Sequence, residues 1–151
     1  RQMCIRDRNL LINQLRENLE KNNKSKNKFS CQNPEDILAE IFYAFANALS
    51  VQKRFELSNL YINFSKYLNS NFKSYDALLA ENLLSLGKKI DSKKIFLKLF
   101  EIGSFYKWNS SKEIALIIED LEGSEKSLIY LTNIYKNIDK IYTELLIMQI
   151  F

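Results

Sequence analysis

A small residue stands twelve positions before a serine three times along this chain: Ala46 with Ser58, Ala80 with Ser92, and Ala115 with Ser127. The first and second pairs are 34 residues apart, the second and third 35. Large apolar residues hold the same phase. Leu49, Leu83 and Ile118 follow the alanine by three, Phe45, Leu79 and Ile114 precede it by one, and Ile62, Phe96 and Leu131 follow it by sixteen. Self-similarity at such a period is the mark of a repeat architecture. The pattern has a physical reason. Two helices packed as a hairpin need small side chains where their backbones come closest, with large apolar groups filling the space on either side. One hairpin cannot bury both of its faces, so successive hairpins stack and share a core.

Punctuation agrees with an all-α chain. Three glycines and one proline in 151 residues cannot supply the turns that a sheet-rich fold needs every eight to twelve residues. Hydrophobic residues at 46% and charged residues at 26% are ordinary for a globular protein. A strong helix start lies at Asn33-Pro34-Glu35-Asp36: an N-cap, a proline at the first helical position, and two acids at the positive end of the dipole. Breaks are predicted at Lys53-Arg54, at Asn69-Ser70-Asn71, at Gly87 and at Gly123-Ser124. The serine–glutamate spacing of Ser110-Ser111-Lys112-Glu113 reads as a capping box opening another helix. The result is a train of antiparallel hairpins, with helices of roughly 12 to 17 residues and joints of two to six.

The N-terminal third reads differently. RQMCIRDR, residues 1–8, resembles the translation of the transposon end used to fragment DNA for sequencing, and is set aside from fold reasoning. On that reading the natural start lies elsewhere. Residues 9–22 carry a helical stripe at Leu10, Leu11, Leu15 and Leu19 and read as a helix of a preceding repeat. Residues 23–33 read as a polar, basic linker. Setting residues 1–8 aside reduces the formal charge of +4 to 19 basic against 17 acidic residues, too even a balance to argue for nucleic acid. It also leaves Cys31 alone, so no internal disulfide is expected. No apolar run approaches the length that spans a bilayer. The apolar residues 145–151 read as part of a truncated helix, with a dimer-forming tail as the alternative.

These residues resemble the tetratricopeptide repeat family. The best copy is 39–72, AEIFYAFANALSVQKRFELSNLYINFSKYLNSNF, with Phe42 where the family has tryptophan, Phe45, Ala46 and Leu49 on the first helix, and Phe55, Ser58 and Ser65 on the second. The second copy, 73–106, keeps Leu79, Ala80, Leu83, Gly87, Ser92 and Phe96 but has Asp76 at the tryptophan position. The third, 108–141, keeps Ile114, Ala115, Ile118, Ser127 and Leu131. The closing proline of the family is missing throughout. More narrowly, the stretch from Cys31 to Ile134 resembles multi-repeat proteins known mainly from α-proteobacteria. The resemblance implies helix-turn-helix hairpins stacked as a right-handed α-solenoid over 34–151, further repeats beyond both ends, and a bacterial cytoplasmic or periplasmic setting.

Catalytic chemistry finds little to build on. The chain has no histidine, which removes the Ser-His-Asp and Cys-His arrangements and the commonest transition-metal ligand. Cys31 alone cannot make a zinc site, and no glycine-rich phosphate loop occurs. No enzymatic activity, metal or cofactor is expected. Glu35-Asp36 fits dipole stabilisation, and Glu119-Asp120 falls at a solvated helix end. The 19 aromatic residues fall mostly on the repeat phase, Phe42, Phe45, Phe55 and Phe96 among them, and read as core. Trp108 is expected to wedge the third copy against the second.

What the resemblance implies about function is a groove for a protein partner. The first helix of each family hairpin lines a concave surface. The corresponding positions here are Tyr43, Asn47 and Ser50 in the first copy, with Glu40; Ala77, Glu81 and Leu84 in the second, with Ser74; and Lys112, Leu116 and Glu119 in the third, with Asn109. Asn47 matches one member of the clamp by which some relatives grip peptide C-termini, but Tyr43 and Ala77 replace its basic partners, so chaperone-tail binding is not expected. The partner expected for this groove is an extended peptide or a helix of another protein. An RNA-binding helical-repeat module and the non-catalytic arm of a larger enzyme stand as alternatives.

Overall fold

The computed structural model describes residues 30, 32–71 and 73–137. The expectations for residues 1–8, for 9–22, for most of the linker including Cys31, and for 138–151 lie outside them. Among the described residues all regular structure is helical: α1 Pro34–Val51, α2 Phe55–Leu68, α3 Ser74–Ser85, α4 Lys89–Phe100, α5 Ser104–Glu122 and α6 Ser124–Lys136. They divide into two units, one up to Ile95 and one from Phe96 onward.

In the first unit, α1 begins as its residues dictate. Asn33 Oδ1 accepts the Glu35 N–H at 3.2 Å, Pro34 occupies the first turn, and Glu35 and Asp36 follow. Asp36 also ties α1 to the chain around it. Its Oδ2 accepts the Ser30 N–H at 2.8 Å and its Oδ1 accepts Asn69 Nδ2 at 2.9 Å. The end of α1 and the end of α3 use one device. Lys53 (φ 60) and Gly87 (φ 74) both turn left-handed. The next N–H then reaches back five residues, Arg54 to Leu49 O and Lys88 to Leu83 O, each at 2.9 Å. This is the closure that satisfies the last carbonyls of a helix. Lys53 and Gly87 are 34 residues apart, so the stop recurs in phase, with lysine once standing where glycine is favoured.

Residue pairs give the helix directions. Ala46 meets Ser58 and Asp36 meets Asn69, so α1 and α2 run antiparallel. Lys66 meets Asp76 and Asn59 meets Asn82, so α2 and α3 do too. Tyr43 meets Tyr75 and Ser50 meets Asn82, so α1 and α3 run parallel. Ala39, Ala46, Ile62, Tyr75 and Leu78 form the buried cluster among these three helices. In the second unit α5 carries most of the buried groups, including Phe105, Tyr106, Ile114, Ala115, Ile117 and Ile118. Trp108 stands 6.3 Å from Tyr135, with α6 antiparallel to α5, and Lys107 Nζ sits 4.7 Å from the Phe100 ring centroid.

The twelve-residue spacing has a meaning beyond small size. In each copy the serine hydroxyl donates to the carbonyl of its alanine: Ser58 to Ala46 at 2.7 Å, Ser92 to Ala80 at 2.8 Å and Ser127 to Ala115 at 2.9 Å. All six residues are buried. The alanine lets the backbones approach, and the serine bridges them at the point of approach. Ser58→Ala should therefore lower the unfolding free energy by about 1 kcal/mol, the net worth of one such bond. Urea unfolding measures this, and an unchanged midpoint would mean the bridge contributes nothing.

Several expectations need correction. Ser110 to Glu113 does not open a helix. It lies inside α5, Ser110 and Ser111 are buried, and Ser111 Oγ donates to Lys107 O at 2.7 Å. A hydroxyl bonded to the carbonyl four residues back sits inside a helix without capping it. The break falls instead at residues 101–103, and α5 is 19 residues long. The joint before α6 is shorter than expected, the single residue Gly123 at φ 97. Among the aromatics read as core, Phe96 is fully buried, but Phe45 is 56% exposed.

Candidate functional site

The expected groove rests on one stripe of each first helix. Residues 43, 47 and 50 lie at i, i+4 and i+7, as do 77, 81 and 84, and 112, 116 and 119, so each trio shares a helix face. On α1 this face is engaged with α3. The rings of Tyr43 and Tyr75 are 5.0 Å apart, and the Tyr43 hydroxyl donates to Ser74 O at 3.4 Å. Asn47 Nδ2 donates to Tyr43 O at 2.9 Å. The Ser50 hydroxyl donates to Asn82 Oδ1 at 2.6 Å. All three α1 residues are half-buried. On α3, Ala77 is buried, Leu84 half-buried and Glu81 exposed. The structure thus brings the first two trios onto neighbouring parallel helices. In the second unit Lys112, Leu116 and Glu119 are all exposed on α5.

Asn82 is the residue that reading by position passes over. It is 1% exposed. Besides accepting from Ser50, its Nδ2 donates to Ser58 Oγ at 2.8 Å and to Asn59 Oδ1 at 2.9 Å. One amide therefore gathers α1, α2 and α3. The signal is present in the sequence: Asn82 is four residues after Leu78, on its buried stripe, where a polar side chain must find partners. Nearby, Lys66 Nζ and Asp76 Oδ1 lie 2.5 Å apart between α2 and α3.

Electrostatics at this face follow burial. Desolvation holds the Glu40 carboxyl above its ordinary range. Burial is also the main cause raising the Tyr75 phenol, with the charges of Glu40 and Asp36 adding to it. In the other unit burial raises the Tyr130 phenol, against the opposing effect of a hydrogen bond with Ser111. Among the described residues no group of three or more Cys, Asp or Glu is placed to hold a metal ion. No described helix is long and apolar enough to cross a membrane. Set against protein-family models, curated proteins and solved structures, the chain gives no significant match.

Proposed function

We propose that this chain is part of a helical-repeat scaffold of the tetratricopeptide type, a right-handed α-solenoid without catalytic activity, which holds an extended peptide or a helix of a partner protein. The observation that carries the reading is the same alanine-carbonyl-to-serine bridge recurring three times in phase. It supports one hairpin unit used repeatedly, as in an array whose first helices offer their exposed stripes side by side. The ligand is expected along Asn47, Glu81 and Leu84 in the first unit and Lys112, Leu116 and Glu119 in the second. Their mix of charge and apolar surface suits a peptide of mixed composition.

The test is selection of binding peptides from a displayed random library against the whole chain. The dissociation constant of a selected peptide is then measured for Glu81→Lys, Leu84→Lys and Lys112→Glu. The expected loss is tenfold or more, about 1.4 kcal/mol. Peptides that bind with undiminished affinity to all three variants would remove the groove assignment. Tight, salt-dependent binding of a labelled single-stranded RNA pool would favour an RNA-binding module instead.

A further inference from the structure

The outer side of α1 is apolar from end to end. Its inner side carries Ala39 and Ala46, fully buried in the cluster with α2 and α3. On the opposite side lie Ile37, Ile41, Ala44, Ala48 and Val51, spaced by four, three, four and three residues, so they form one stripe along the helix. All five are exposed, Ile37 by 41%, Ile41 by 45% and Val51 by 84%. Leu38 and Phe45 widen the stripe on one flank and are exposed too. None of these seven side chains is charged or polar. A helix that is apolar on both sides is one that is buried on both, and an exposed patch of this kind marks an interaction surface.

The stripe is its own complement. α1 runs Pro34–Val51, so a two-fold axis passing its midpoint, between Phe42 and Tyr43, sets two copies antiparallel over their whole length. Ile41 then lies beside Ala44 of the second copy, and Ile37 beside Ala48 of the second copy. Each alanine receives an isoleucine, and the helices can close to one even distance. A parallel pair would set alanine against alanine and leave gaps between the isoleucines. Charge agrees with the antiparallel pair. Glu35 and Glu40 lie in the first half of α1, and Lys53 and Arg54 follow its end. All four are exposed, and none is held in an ion pair among the described residues. Antiparallel copies bring the acidic end of each helix to the basic end of the other, whereas parallel copies align like charges. Closed two-fold contacts are also the commonest in soluble oligomers. We propose that this chain dimerises through the outer side of α1, with a second copy as the occupant. Phe45, which holds the phase of a core residue yet is 56% exposed, then has a cover. Tyr43 and Ser50 of the expected groove face α3 instead, so the dimer stands or falls apart from the partner-binding reading.

Sedimentation of the full chain over a range of concentrations tests it. A monomer–dimer equilibrium is expected. Ala44→Glu puts a charge near the middle of the seam, at an exposed position, and should weaken dimerisation about a hundredfold or more with unchanged circular dichroism. Glu81→Lys, in the groove, should leave dimerisation as it is. Cross-linking reads the direction, in a chain carrying Cys4→Ser and Cys31→Ser. In the antiparallel pair, Ile37→Cys alone or Ala48→Cys alone places its two thiols about 16 Å apart along the axis, too far for a disulfide. Mixed, the two variants should give a cross-linked dimer on oxidation. A chain that stays monomeric at every concentration gives the face to another hairpin of the array or to a different protein, and overturns the inference. So does a dimer that Ala44→Glu leaves intact, and so does efficient cross-linking of Ile37→Cys alone, which would make the pair parallel.

Discussion

Tyr75→Ala should lower the unfolding free energy by about 3 to 5 kcal/mol, the usual cost of emptying a buried aromatic site. A domain of this size has roughly 5 to 15 kcal/mol in total, so the change removes much of it. Tyr75 is fully buried, the largest side chain of the cluster that joins α3 to the α1–α2 hairpin. Its ring fills the space left by two alanines, Ala39 and Ala46, and packs at a tilt against Tyr43, with ring centroids 5.0 Å apart. Those alanines bring the backbones close and cannot move to fill a void, so the cavity persists. Urea unfolding followed by far-ultraviolet circular dichroism measures the loss. Tyr75→Phe is the control that keeps the ring and should cost far less. If alanine and phenylalanine proved equally damaging, the hydroxyl and not the ring would be the supporting group.

That cluster also shows what can be read from the residues. Ala46 and Ser58 are legible because a small residue at close approach and its distant serine recur in phase. Breaks at 69–71, at Gly87 and at Gly123 are legible because each carries turn chemistry, and that at Lys53-Arg54 because two charges interrupt the apolar pattern. The break at 101–103 is not. Glu101-Ile102-Gly103 offers one glycine in an otherwise helical pattern, while Ser110 to Glu113 offers a full capping-box spacing nearby. The spacing of a capping box is a local code, and tertiary burial of Ser110 and Ser111 overrides it. The groove is legible only as far as its faces. Residues 43, 47 and 50 do share one side of α1, but whether that side meets solvent or the next helix depends on packing, which no local pattern contains. Phe45 shows the converse: it holds the repeat phase of a core residue, yet more than half of it is exposed.

Asn82→Leu should cost about 2 to 3 kcal/mol, even though leucine is close in size and more apolar, because it strands polar groups that one amide now satisfies. Ser50, Ser58 and Asn59 each lose a partner. Ser50 and Asn59 are half-buried and can recover part of the loss from water. Ser58 is fully buried and keeps only its bond to Ala46 O. The bonds run in series, Asn82 to Ser58 and Ser58 to Ala46, so each polarises the next. The double variant Asn82→Leu with Ser58→Ala should accordingly cost less than the sum of the single changes, by about 0.5 kcal/mol or more. Strict additivity would mean that the two bonds act independently. The third copy gives the contrast. Ala80 and Ala115 are 35 residues apart, which sets Ile117 in phase with Asn82, and Ile117 is buried at 1% exposure. The repeat therefore tolerates an apolar residue at this position as a matter of geometry. What demands the amide is the local company of Ser50, Ser58 and Asn59, which bond to it.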